Sequence, residues 1–210
     1  MMGSIFKKIY AVEGNIGAGK STFLHLMKRK IRNIYVIQES VNEWKNIGGG
    51  NLFELFYKTP ERWCFTFEIC TMLTLFKNLR EALATNTEMI FIERSILSNR
   101  VFHHVSRSMD KLNDIEMEIL NEAYRCFKAI LPKLSGVIYI DTDVKTCLKR
   151  IKERGRNEEQ EIDEDYLTRL ETEFIEINYD CPILCIDGKY NQNDPKIMLE
   201  EVSKFILNNN

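Results

Sequence analysis

Short, almost wholly apolar runs alternate along this chain with longer stretches whose apolar positions recur every three to four residues. The short runs lie at 8–12, 34–38, 89–92, 136–140 and 182–186 and are rich in Ile, Val, Tyr and Phe. A strand covered on both faces has no polar side to show, so these runs predict five buried strands of a parallel sheet. Helical periodicity predicts helices over 20–32, 52–58, 60–84, 115–132, 144–154, 163–178 and 195–207. Strands that alternate with helices in this way give an α/β architecture with helices on both faces of the sheet. No repeat or long linker interrupts the pattern, and 210 residues suit a single domain over 1–210. Gly48-Gly49-Gly50 is too short for a boundary and predicts a mobile turn over a site.

The longest predicted helix, 60–84, carries Trp63, Phe65, Phe67, Ile69, Met72, Leu73, Leu75, Phe76 and Leu79. It is apolar almost all round, so it is expected to run through the core. Glu68 breaks that pattern, and helical spacing puts it on one face with Thr71 and Leu75. A buried unpaired carboxylate costs on the order of several kcal/mol. Glu68 is therefore paired, for instance with an arginine, or at the surface, or turned to a polar ligand cavity.

Directly after the first strand run, residues 13–22 read EGNIGAGKST and spell GxxxxGK[ST] at the start of a predicted helix. That is a phosphate-binding P-loop, with Gly14, Asn15, Ile16, Gly17, Ala18, Gly19, Lys20, Ser21 and Thr22 as its candidate contacts. Glycines let successive N–H groups curl around phosphate oxygens, and the following helix aims its positive dipole end there. Lys20 is placed to reach the β and γ phosphates and Ser21 to give its hydroxyl to Mg²⁺. Two acids, Glu39 and Glu93, follow the second and third strand runs and so fall on the carboxyl edge, beside the P-loop. One could hold the metal while the other takes a proton from an attacking hydroxyl.

Further on, 145–156 carries six basic residues, Lys145, Lys149, Arg150, Lys152, Arg154 and Arg156, against one acid, and six acids follow in 157–165. Such a run is either a solvated helix end or the arginine lid that closes on a migrating phosphoryl group. The chain as a whole is nearly neutral, at 29% charged residues and net charge −2, which removes the simplest argument for a nucleic-acid or membrane-surface protein. No stretch approaches a transmembrane span. The first eight residues hold neither an apolar signal core nor a transit pattern, and Gly3 is one place late for myristoylation, so a cytoplasmic protein is expected. Six cysteines without CxxC pairs or dense spacing predict buried, reduced thiols.

Four stretches, met in order, carry a resemblance: EGNIGAGKST at 13–22, ES-x3-W at 39–44, YKTPERWCFTFE at 57–68 with ERS at 93–95, and RIKERGRNEEQ at 150–160. The chain resembles the deoxynucleoside kinase family, which includes deoxycytidine, deoxyguanosine and mitochondrial thymidine kinases and the insect multisubstrate enzyme. The resemblance spans 13 to about 187 and implies a P-loop kinase fold with a short lid at about 150–160. It implies transfer of the γ-phosphoryl of ATP, or another NTP, with Mg²⁺, to the 5′-hydroxyl of a deoxynucleoside. On that pattern Glu39 is the general base with Arg94 orienting the same oxygen, and Glu93 joins Ser21 at the metal, through water. Arg150, Arg154 and Arg156 are lid arginines, and Tyr57 and Glu159 hold the sugar 3′-hydroxyl. Ile16, Val41, Trp44, Phe56 and Phe67 line the base pocket, 187–193 surrounds the donor base, and relatives imply a homodimer built on helices.

The chain also departs from the pattern. Glu68 stands where the family reads the base with Gln, and an ionised carboxylate can only accept hydrogen bonds. It pairs twice with guanine, through N1–H and N2–H₂, and once with other bases. Leu75 and Asn99 stand where deoxycytidine-type members have Arg and Asp, and His103 where a base-stacking Phe is common. Two other readings remain at this level. A nucleoside monophosphate kinase would need a cationic acceptor site that nothing after Glu39 supplies. A P-loop switch ATPase would need an NKxD-type motif or an extended basic surface, and neither is evident.

Overall fold

From Ile9 onward every residue of β1 (Lys8–Glu13) is buried, because successive side chains of this central strand point to opposite faces and both faces are covered. Tyr10 and Val12 pack into one apolar layer with Phe23, Leu24 and Met27, and with Leu167, Leu170 and Val202. Ile9 and Ala11 pack into the other with Leu79 and Ala82. The computed structural model describes residues 7–190 and 195–209. Its other strands are β2 (Ile34–Ile37), β3 (Met89–Glu93), β4 (Gly136–Asp141) and β5 (Ile183–Asp187). The sheet order is β2-β3-β1-β4-β5, with every neighbouring pair parallel. All five predicted strands are present, although the edge strands are less covered than their apolar pattern implies. β2 leaves Ile34, Tyr35 and Val36 half-buried, and β5 exposes Ile183 and Cys185.

The helices are α1 (Lys20–Lys30), α2 (Val41–Trp44), α3 (Leu52–Lys58), α4 (Pro60–Leu83), α5 (Ile96–Ser108), α6 (Asp114–Ile130), α7 (Val144–Arg154), α8 (Glu164–Glu176) and α9 (Lys196–Asn208). A 3-10 turn occupies Asn157–Glu159. The short α2 and the whole of α5 are absent from the sequence prediction. The buried positions of α5 are Ser98, Asn99, Val101, His103, Val105 and Ser106; its apolar residues do recur at helical spacing, but four of these six inward positions are polar. Its N-cap, Ser95, accepts a hydrogen bond from the Leu97 N–H at 3.2 Å.

α4 does not run through the core as its composition predicts. One side is buried through Cys64, Phe67, Glu68, Met72 and Leu79, but Leu73 is 52% exposed and Trp63, Phe65, Ile69 and Phe76 are only half-buried. The expected turn at Gly48-Gly49-Gly50 is present as a tight reversal. Ile47 and Gly50 exchange both backbone hydrogen bonds at 2.9 Å, with φ positive at Gly48 and Gly49. All six cysteines are free, as expected, yet Cys126 and Cys185 are exposed rather than buried.

Candidate active site

β1 runs directly into the P-loop, whose shape depends on two glycines. Gly14 has φ +132° and a Cβ there would lie 2.6 Å from the Ile140 carbonyl oxygen; Gly17 has φ +79° and a Cβ would lie 2.5 Å from that of Cys147. Asn15 locks the loop by donating from Nδ2 to the Leu167 carbonyl at 2.8 Å while its Oδ1 accepts the Ile16 N–H at 2.8 Å. Gly14, Asn15 and Ala18 thus shape the loop from behind, whereas Ile16, Gly17, Gly19, Lys20, Ser21 and Thr22 line a cavity of about 460 Å³. α1 begins at Gly19 with no side-chain cap, which leaves its first amides open to an anion.

Parallel register brings the ends of β1, β2 and β3 to this same cavity, with Val12 beside Glu93 and Ile37 beside Ile92. Arg94, the next residue, has φ +64°, a strained value for a non-glycine residue, held by its N–H donating to the Val12 carbonyl at 3.0 Å. From there Arg94 Nε donates to Glu39 Oε1 at 2.5 Å and Nη1 donates to the Gly14 carbonyl at 3.0 Å. The guanidinium lies 4.8 Å from the Phe102 ring centroid, which backs it on one side. Ser21 Oγ donates to Glu93 Oε1 at 2.9 Å, and Lys20 Nζ to the Asn15 carbonyl at 2.7 Å.

Opposite this polar end the cavity is aromatic. Phe56 stacks on Phe67 at 4.5 Å between centroids, and Trp44 meets Phe67 edge-on at 5.2 Å while its Nε1–H donates to Thr74 Oγ1 at 3.1 Å. Val41, Tyr57, Leu75 and Asn99 also line the cavity, and Glu68 reaches it although only 2% exposed. The partner of Glu68 is not an arginine. Nε2 of the fully buried His103 lies 3.3 Å from Glu68 Oε2, so His103 stands behind the wall rather than on it.

The basic run closes the remaining side. Arg154 Nη2 lies 2.5 Å from Glu159 Oε2 and Arg156 Nη1 2.9 Å from Oε1, while Arg150 donates to the carbonyls of Ala18 at 2.9 Å and Gly188 at 2.8 Å. Gly188 and Tyr190 also line the cavity, whereas 191–193 of the expected donor-base loop lie outside the described residues. Several lining residues escaped the sequence analysis. Phe53 is one turn before Phe56 and was legible from that spacing, but Phe102 and Ser98 belong to α5, which the sequence prediction lacks. Glu13 was also missed. Fully buried, it accepts from the Ser95 N–H at 2.9 Å, from Ser95 Oγ at 2.6 Å and from Ser98 Oγ, fastening α5 to β1.

The family model for deoxynucleoside kinase matches residues 10–207. The chain belongs to the deoxynucleoside kinase family. It is 34% identical over 191 residues to a probable deoxycytidine kinase of Fowlpox virus, covering 87% of this chain and 79% of that one. It is 31% identical over 244 aligned positions to the deoxycytidine kinase of Homo sapiens, covering 97% and 92%. A mitochondrial deoxyguanosine kinase of Xenopus laevis is 30% identical over 185 residues, covering 78% and 70%. The kinase therefore phosphorylates deoxynucleosides in an ATP-dependent reaction.

Charges in the kinase site are tuned by their neighbours. Burial alone pushes the Glu39 carboxyl up, but the Arg94 guanidinium and then Lys20 outweigh it and hold Glu39 below its ordinary range. Glu93 goes the other way, raised by burial and by the adjacent Glu39 carboxylate. Burial, with Arg94 adding to it, lowers the Lys20 ammonium to about 8. Tyr57 is raised by burial and then by the Glu159 carboxylate.

Proposed function

We propose that the kinase transfers the γ-phosphoryl of a nucleoside triphosphate to the 5′-hydroxyl of a deoxynucleoside bound between the P-loop and the aromatic wall, as part of nucleotide salvage. The observation that carries this reading is Arg94, which spans Glu39 and the P-loop carbonyl of Gly14 at the junction of the two halves of one cavity. Glu39, held ionised, takes the proton of the 5′-hydroxyl as that oxygen attacks, and Arg94 keeps the carboxylate and the oxygen in line. Lys20 and the open amides of α1 hold the donor phosphates. Arg150, Arg154 and Arg156 close over the phosphoryl group, where fixed cations stabilise the charge that spreads on its oxygens. Tyr57 and Glu159 receive the sugar.

Mg²⁺ fits the residues present. Among the described residues no group of three or more His, Cys, Asp or Glu could hold a metal alone, but Mg²⁺ prefers one or two protein oxygens plus substrate phosphates. Ser21 Oγ and Glu93, 2.9 Å apart beside the P-loop, supply such a set. Held there by Ser21 and Glu93, Mg²⁺ would supply positive charge to offset that of the triphosphate.

Turnover of ATP tests the reading directly. With purified kinase it is expected to be negligible alone and to rise sharply on adding a deoxynucleoside, whereas a rate indifferent to the acceptor overturns it. A monophosphate acceptor is disfavoured because the acceptor side presents the carboxylates of Glu39, Glu68 and Glu159. Lid closure is latched by Glu158, which Lys45 Nζ approaches at 2.9 Å and to which Asn51 Nδ2 donates at 3.0 Å. Glu158→Gln is expected to raise the nucleoside KM about two- to fivefold, the effect of ~0.4–1 kcal/mol for a part-exposed pair, with kcat little changed. Steady-state kinetics check it, and an unaltered KM removes the latch.

The whole chain acts as one domain, in the cytoplasm, as a homodimer. Among the described residues no helix is long and apolar enough to cross a membrane. The dimer is supported by Leu73 on α4 together with Ile115, Ile119 and Ile130 of α6, which are 48–74% exposed on α6 and form an apolar flank. Light scattering on the purified kinase reads the mass directly.

A further inference from the structure

Behind the aromatic wall lies a buried pair that the transfer chemistry leaves unused. The imidazole of His103 has no exposed surface, and neither ring nitrogen completes a hydrogen bond of acceptable angle, although Nε2 lies 3.3 Å from Glu68 Oε2. A buried polar group left unsatisfied costs about 1–3 kcal/mol, which a protein retains only for a reason. Contacts that serve a bound substrate are often long and poorly aligned without it and tighten when it arrives. Among the described residues Glu68 is the only lining carboxylate at the aromatic end, and the backbone that carries it is held in place: Thr71 Oγ1 donates to the Glu68 carbonyl at 2.8 Å and itself accepts from Asn99 Nδ2 at 2.8 Å.

We propose that His103 is a positioning residue for base recognition: its Nε2–H donates to Glu68 Oε2 and fixes the carboxylate so that both oxygens accept from a base carrying two adjacent N–H donors, as guanine does. This rests on the proposed function and names its substrate class. A carboxylate has no proton to give, so the edges of cytosine, adenine and thymine, none of which carries two adjacent N–H donor groups, satisfy it only once. Guanine meets it with N1–H and N2–H₂ together. Charge-assisted hydrogen bonds of this kind are the stronger ones, and fixing the acceptor beforehand reduces the entropy lost on binding.

The experiment measures kcat/KM for deoxyguanosine, deoxyinosine, which lacks the N2 amine, and deoxycytidine, with the wild-type chain and with His103→Phe, His103→Gln and Glu68→Gln. The wild type is expected to prefer deoxyguanosine over deoxyinosine by about 10- to 100-fold. His103→Phe collapses that ratio chiefly through KM. His103→Gln restores it in part, because an amide can still donate, and Glu68→Gln moves the preference toward deoxycytidine. A deoxyguanosine/deoxyinosine ratio near one in the wild type overturns the proposal without any variant having to fold. An equal fall on all substrates in His103→Phe, with the ratio kept, overturns it also and makes His103 a packing residue. Inactivity of the wild type on every nucleoside overturns the proposed function itself, and activity with a wrong ratio overturns only this inference.

Discussion

Glu39→Gln lowers kcat by about 10²–10⁴-fold, ~3–5 kcal/mol of barrier, while the triphosphate still binds. The amide keeps the shape of the side chain and can still contact Arg94, so the variant removes the proton acceptor rather than the architecture. The 5′-hydroxyl must lose its proton as it attacks, and among the described residues no other lining carboxylate is equally prepared. Arg94 and Lys20 hold Glu39 ionised, whereas burial and the neighbouring carboxylate keep Glu93 above its ordinary range. The pH profile carries the sign. A base with a lowered pKa is active above it, so the limb of the kcat/KM profile that belongs to Glu39 lies below the ordinary glutamate range. Rapid-quench measurement of the transfer step checks the first part, and unchanged turnover removes Glu39 as the base.

Lys20→Met is expected to reduce kcat/KM by about 10²–10³-fold, the usual effect of deleting one fixed donor from a charge-stabilising site. Lys20 is 4% exposed and its ammonium is lowered to about 8 by burial and by Arg94. The sign follows from linkage. At about pH 8.5 a fraction of the free protein has Lys20 neutral, and an entering triphosphate recharges it, so binding takes up protons. Calorimetry in buffers of different ionisation enthalpy reads that uptake, and Lys20→Met abolishes it. Uptake that survives in the variant assigns the proton to another group and removes Lys20 from the phosphates.

How much of this was legible beforehand depended on whether a residue's neighbours were close in sequence. The P-loop was fully readable, because 13–22 contains its own turn, its own amides and its own helix start, and Gly14 and Gly17 occupy positions where a Cβ would meet backbone oxygen. Glu39 and Glu93 were readable because a strand end in a parallel sheet defines an edge. Trp44, Phe56 and Phe67 came from resemblance, and the structure brings them to one wall. α5 was missed although its apolar residues recur at helical spacing: four of its six buried positions, Ser98, Asn99, His103 and Ser106, are polar, and a polar residue that is buried looks in sequence like one that is exposed.

The sequence by itself determined the α/β alternation, the five strands, the phosphate cradle and the acids at the sheet's edge, since each is written in consecutive residues by local periodicity or turn chemistry. Only the tertiary structure decided that His103 of α5 lies beside Glu68 of α4, that Lys45 and Asn51 hold Glu158, and that α4 keeps one flank open. The physical reason is that a charge or a polar ring is assigned its partner by packing across elements, where separation along the chain carries no information about separation in space.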